Sequence, residues 1–214
     1  MSRINKEVLN RAITEINSKE KTAFLETVDL QIGLKGYDPK KDKRFSGSIQ
    51  LPHIPREKQS VIILGDQFHC DQAKDLNIPY VNETSLVGLN KDKKLIKLFF
   101  KPYQILIASE SLYRKIPRII GGTLFRIGKF PRVITQDECM LTKINQIKAT
   151  VIFTLRKTLC LGVAVANLAM SHEEQKQNIV IAINYLVSLL KKNWHNIRSI
   201  YIKSTHGVAQ KLYR

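Results

Sequence analysis

Ser199, Tyr201, Lys203 and Thr205 recur at every second position near the end of the chain. Residues two apart share a face of an extended strand, so this row presents three hydroxyls and one ammonium together. Such donors fix a sugar–phosphate backbone. From Gln175 to Arg214 there is no Asp or Glu, against seven Lys or Arg. The competing reading is a solvated sheet face that carries no ligand. At Gly207 the backbone can turn sharply and come close to a ligand. Beside it, His206 is either a base-stacking or hydrogen-bonding group for RNA or an ordinary turn residue.

A second basic segment, 111–136, holds six Lys or Arg and no acid, together with Gly121, Gly122 and Gly128. It reads as a basic patch for RNA rather than a nucleotide loop. Neither GxxxxGK[ST] nor GxGxxG after a strand is present. The run KDKKLIK at 91–97 fits an exposed helix face as well as another patch. Catalytic patterns such as HExxH, GxSxG and DxDxG are missing. His69 and Cys70 are adjacent but have no second ligand pair at metal spacing. Cys160 reads as core, and Glu173 and Glu174 are explained by a helix N-terminus. The expectation is a protein that is not an enzyme, with no catalytic residue, metal or cofactor.

The elements that would position these groups follow from periodicity. Residues 5–18 set Val8, Leu9, Ala12, Ile13 and Ile16 on one helical face. In 24–34 the period drops to two: Val28, Leu30, Ile32 and Leu34 point one way, and Leu25, Thr27, Asp29, Gln31 and Gly33 the other. A basic loop at 35–47 and a short strand at 48–52 lead to Pro52 and Pro55, which mark a boundary. SVIILGD at 60–66 is an apolar run of the buried parallel-strand kind. A helix near 69–77, a strand at 78–81, a helix over 84–100, a strand at 103–110 and a helix to about Ile120 follow. The stretch 121–131 is read as a glycine-rich basic loop. After 149, ATVIFTLRK and TLCLGVAVANL look like adjacent antiparallel strands. Ser171 and Glu174 form a capping box, opening a helix to about Trp194. A strand over 197–205 and a basic tail end the chain. The two ends share one style and the middle another. The expected fold class is therefore mixed. A split α+β domain from both termini (1–58 and 150–214) carries an inserted Rossmann-like three-layer α/β domain (59–149).

Composition points to the same partner class. The chain has 214 residues, 35 Lys plus Arg against 18 Asp plus Glu, and a net charge of +17. Such an excess repels itself in the free protein and is relieved by a polyanion. Nucleic acid leads, with an anionic membrane surface second. Cys70, Cys139 and Cys160 are widely spaced and odd in number, which fits a reducing compartment better than a disulfide framework. No signal-peptide core opens the chain, and the longest apolar run, around Ile179–Leu190, is too short to span a bilayer.

Seven stretches carry a resemblance. They are FLETVDLQIGLKGYDPKKDKRFSG (24–47), LGDQFHCDQAK (64–74), ASESLYRKIPRIIG (108–121), GKFP (128–131), LCLGVAVAN (159–167), LVSLLKKNW (186–194) and IYIKSTHG (200–207). In this order and over nearly the whole chain, they resemble the ribosomal protein L-one family, whose eukaryotic form is called L-ten-a. The resemblance implies a monomeric component of the large subunit, in the cytoplasm, within the mobile stalk beside the tRNA exit site. The split domain would grip large-subunit rRNA. The inserted domain would face exit-site tRNA and aid release of deacylated tRNA. Family members also bind an mRNA hairpin that mimics the rRNA site, as free repressors of translation. A nucleotide-dependent RNA-modifying enzyme is the remaining alternative.

The family's RNA contacts map onto Phe24, Thr27, Asp29, Ser199, Thr205 and Gly207. Lys43 and Arg44 of the basic loop, Lys203 and His206 complete the expected RNA-binding set. Two positions depart from the family pattern. His206 stands where Met is usual, and GGTLFRIGKFP (121–131) replaces GPGLNKAGKFP.

Overall fold

The computed structural model describes residues 4–18, 24–38, 42, 44–89 and 91–213. The chain divides into two compact units, one from 1–57 and 148–214 and the other from 58–147.

The first segment of the split unit supplies α1 (Lys6–Asn17), β1 (Thr27–Leu34) and β2 (Ser46–Gln50). Asn5 caps α1 by accepting the Glu7 N–H, which satisfies one of the amides a helix start leaves unpaired. Leu9, Ala12, Ile13 and Ile16 are buried, but Val8, expected beside them, is 37% exposed and lies at the edge of the stripe. In β1, Val28, Leu30, Ile32 and Leu34 all face the core.

The inserted unit begins with β3 (Val61–Leu64), α2 (Gln67–Asp75) and β4 (Tyr80–Val81). The single helix expected over 84–100 is two helices, α3 (Glu83–Val87) and α4 (Lys93–Phe100). The break has a local cause. Lys91 takes a left-handed φ of 59°, and Asp92 restarts the helix by accepting the Lys94 N–H. Then come β5 (Ile105–Ser109), α5 (Glu110–Tyr113) and α6 (Ile116–Ile119), so the helix expected up to Ile120 is also divided, with Pro117 near the start of its second piece. The stretch read as a glycine-rich loop contains α7 (Thr123–Ile127), closed by Gly128 at φ 77°, the left-handed conformation glycine adopts without strain. Two elements not read from the sequence, β6 (Arg132–Ile134) and α8 (Met140–Ala149), complete the insertion.

All strand pairs of this unit are parallel, in the order β4-β3-β5-β6. Successive residues of β3 enter different cores. Ile62 and Leu64 join a cluster with Leu86, Ile96 and Leu112, whereas Val61 and Ile63 join Ala73, Met140 and Ile144. A sheet covered by helices on both faces is the three-layer α/β arrangement.

The chain returns through β7 (Thr150–Thr154), β8 (Cys160–Asn167) and α9 (His172–Leu189). The first two strands are not partners, contrary to expectation. β7 pairs antiparallel with β2 in a two-stranded sheet, and β8 pairs with β1. Val151 and Phe153 of β7 reach the core, where the Phe153 ring lies 6.2 Å from that of Tyr185 on α9. Ser171 and Glu174 form the expected capping box. The helix ends at Leu189 rather than Trp194, because Leu190 is extended (ψ 137°) and Asn193 is left-handed (φ 47°). The chain closes with β9 (Ile197–Ser204) and β10 (Gln210–Tyr213). The basic tail is thus a strand, anchored by buried Leu212 and by Tyr213 against Trp194, with ring centroids 5.2 Å apart.

β10, β9, β1 and β8 form one antiparallel sheet in that order. Its inner residues, including Leu30, Ile32, Ile200 and Ile202, share one core with α1 and α9. The side chains on its opposite face are exposed or half-buried, and this face holds most of the expected site.

Candidate nucleic-acid interface

The open face is built by pairing across β9, β1 and β8. Asp29 lies opposite Lys203 on one side and Ala164 on the other. Gln31 lies opposite Tyr201 and Gly162, and Gly33 opposite Ser199 and Cys160. Lys211 of β10 stands beside Tyr201. The four strands contain one carboxylate, Asp29, against Arg198, Lys203 and Lys211. The face is kept low by glycine: a Cβ at Gly162 would collide with the Gln31 side chain, and one at Gly33 would come within 3.0 Å of Ser199 Oγ. A flat, cationic, hydroxyl-bearing surface suits close approach of a sugar–phosphate backbone.

At one end of the face several expected residues meet. The Phe24 and His206 rings are edge to face, with centroids 5.6 Å apart, and Phe24 is 53% exposed. The His206 N–H donates to Glu26 Oε2 at 3.2 Å, and Glu26 is buried. Thr205 and Lys203 are exposed. Gly207 turns back over Ser204, where any Cβ would strike the serine hydroxyl. Among the described residues, one polar atom here lacks a protein partner: Asp29 Oδ1 is buried and accepts no hydrogen bond.

Ser199 is not part of this cluster. It sits four residues along β9 from Lys203, about 13 Å at a strand's rise, beside Cys160, Arg198, Tyr201 and Lys211 around a hollow of 510 Å³. Cys160, expected in the core, is exposed on this face, because the even-numbered side chain at the start of β8 points outward while Leu161 points in. Arg44 is exposed just before β2, next to the two-stranded sheet and not in any strand of the open four-stranded face. Lys43 lies outside the described residues.

Glu26 and Lys211 were not singled out from the sequence. Lys211 follows the alternation Gln210–Lys211–Leu212, a signal too short to distinguish a strand from a tail. Glu26 gains its role only when β9 returns beside β1.

The basic segment 111–136 is partly committed to structure. Lys129 Nζ donates to the carbonyls of Phe100, Lys101 and Tyr103, closing the end of α4 at 2.6–3.0 Å. Lys115 pairs with Glu83 at 3.1 Å. Gly121 and Gly128 both have positive φ, which gives them backbone roles. Arg114, Arg118, Arg126 and Arg132 remain exposed. Cys70 is buried, and its thiol donates to Asn82 Oδ1 at 2.6 Å and Gly65 O at 3.3 Å. Among the described residues, no group of three or more His, Cys, Asp or Glu could hold a metal ion, and no helix is long and apolar enough to cross a membrane.

A split α+β unit with an open basic sheet face, interrupted by a parallel α/β unit, defines the architectural class. The family model for "Ribosomal protein L1p/L10e family" matches residues 16–208. The chain is 49% identical to the "Large ribosomal subunit protein uL1" of Drosophila melanogaster, across 99% of both chains. It is 51% identical to the proteins of the same name from Oryza sativa subsp. japonica and subsp. indica, across 97% of both chains in each case. The chain belongs to the ribosomal protein L1p/L10e family.

Proposed function

We propose that this protein is a structural constituent of the cytoplasmic large ribosomal subunit, bound to rRNA through the open face of its split unit. The split domain, 1–58 with 150–214, grips a hairpin of the mobile stalk. Phe24, Thr27, Asp29, Lys203, Thr205, His206 and Gly207 form the central contact, and Ser199 extends it along β9. The inserted domain, 59–149, faces exit-site tRNA, and the protein works by binding and positioning as the stalk carries deacylated tRNA outward. The observation that carries this reading is Asp29 Oδ1, a buried acceptor without a partner beside Lys203 on a cationic face. Such an atom is costly unless a ligand supplies a donor, and an RNA 2′-hydroxyl is such a donor.

The test is binding of the purified protein to the stalk hairpin across a salt series, with sedimentation of the tagged protein in cell extract. About six phosphate contacts give a log–log slope near −5, and the protein sediments with large subunits. A flat salt response, or a protein confined to ribosome-free fractions, refutes the reading. Thr205→Val keeps the β-branched shape but removes the hydroxyl. It lowers hairpin affinity by roughly tenfold or more, equivalent to about 1–3 kcal/mol, without loss of stability.

A further inference from the structure

The inserted unit has a polar crevice that rRNA binding by the split unit does not use. Its sheet order, β4-β3-β5-β6, sets the first strand beside the third. The chain therefore leaves β3 toward one side and β5 toward the other. Where successive connections diverge in this way, open parallel sheets leave a cleft at the carboxyl ends of their strands. Here that cleft measures 560 Å³ and is walled by Asp66 after β3, by Ser109 at the end of β5 and Ser111 in α5, and by Thr135, Gln136 and Asp137 after β6. Small-ligand clefts span roughly 300–1,000 Å³.

Three features mark it as a place for a ligand rather than a packing defect. His69, in the first turn of α2, lines the cleft and is only 2% exposed, yet among the described residues neither ring nitrogen has a hydrogen-bond partner. A leucine would occupy that space without stranding a donor and an acceptor. Asp66, at the N-cap position of α2, does not cap the helix; its carboxylate accepts the Ser111 hydroxyl inside the cleft instead. Arg114, at the rim, is exposed and makes no ion pair among the described residues.

The chemistry of the lining narrows the ligand. Carboxylates at Asp66 and Asp137 accept from vicinal hydroxyls. The His69 imidazole and the Gln136 amide each supply a donor and an acceptor for the edge of a base, after a turn of the imidazole toward the cleft. Arg114 suits one phosphate. A polyphosphate does not fit. The loop after β3 has no phosphate-cradling glycine pattern, and Asp66, Glu110 and Asp137 repel additional negative charge. We propose that this cleft binds one nucleoside monophosphate unit, either free or as the terminal nucleotide of an RNA.

The experiment titrates the full-length protein with AMP, GMP, CMP, UMP and ATP, following amide and imidazole NMR signals. At least one monophosphate binds saturably, shifts the His69 ring signals, and outcompetes ATP. His69→Leu weakens it tenfold or more, and Arg114→Ala weakens the monophosphate but not the matching nucleoside. Arg114 is exposed, so its variant keeps the test open if His69→Leu does not fold. A short oligoribonucleotide that competes only with an unblocked end identifies the terminal nucleotide as the source; failure to compete identifies the free nucleotide. No saturable binding at millimolar monophosphate overturns the proposal. So does binding that neither variant weakens, which would move it to the sheet face of the split unit.

Discussion

Asp29 offers a test in which the two readings of the open face predict opposite signs. The substitution is Asp29→Ala. In the free protein Oδ1 is buried without a donor, so its loss removes no hydrogen bond at that atom, and stability stays level or rises. On the proposed reading, a turn of the carboxylate lets the same oxygen accept from RNA in the complex. A hydrogen bond to a charged group contributes roughly 1.5–3 kcal/mol. At about 1.4 kcal/mol per decade, its loss weakens hairpin binding by roughly 10- to 150-fold. General electrostatics push the other way, because removing one carboxylate takes the net charge from +17 to +18 and strengthens attraction to phosphate. Asp29→Asn, with the same shape, loses less affinity because it keeps one acceptor oxygen. The assay is a filter or fluorescence titration with the stalk hairpin at two salt concentrations, beside a urea melt of each variant. Tighter binding by Asp29→Ala at both salts would refute a specific role and leave Asp29 as a carboxylate on a merely cationic surface.

Three further outcomes follow from the packing. Asn178, fully buried, accepts from the His53 N–H and donates to the carbonyls of His53 and Val165. Asn178→Leu strands those groups and destabilises the split unit by about 3 kcal/mol or more, read from the urea midpoint; an unchanged midpoint contradicts the argument. Burial pushes the Cys70 thiol up, while backbone N–H donation from Thr142 pulls exposed Cys139 down. Iodoacetamide at neutral pH therefore labels Cys139 well before Cys70 by peptide mass spectrometry, and simultaneous labelling would refute the assigned burial. Residues 1–58 joined by a short linker to 150–214 fold cooperatively and keep most hairpin affinity; a folded product that does not bind would shift RNA recognition to the insertion.

The alternation in TVDLQIGL and IRSIYIKS was readable because each strand buries one face, so the side-chain period reports the fold directly. That alone selected Thr27, Asp29, Ser199, Tyr201, Lys203 and Thr205. The buried parallel strands at 61–64 and 105–109 were equally plain, since helices on both faces demand apolar residues throughout. Boundaries set by single residues were less legible. Asp92, Asn193 and Gly128 stop or restart helices through backbone conformations that composition only suggests. The pairing of β7 with β2 was hidden because an apolar alternating strand does not name its partner. Sequence proximity favoured β8, and the core beneath α9 favoured β2.

The open face itself depends on long-range closure. The His206 N–H and Glu26, which meet at one end of it, are 180 positions apart. β1 lies between β8 and β9, so neither terminal segment alone can form the surface. Phe24 and His206 are distant in sequence, and their ring contact exists only after β9 has paired in register with β1. Such pairing pays its loop-closure entropy before it gains contacts. The Phe24–His206 end of the open face should therefore be among the last features of the split unit to form. Glu26 is buried at this end, and its carboxylate accepts the His206 N–H of the returning chain. Removing that carboxylate would loosen the turn from His206 to Gly207 while leaving the apolar core of Leu30, Ile32, Ile200 and Ile202 untouched. Order at this end of the face is thus separable from stability of the fold beneath it.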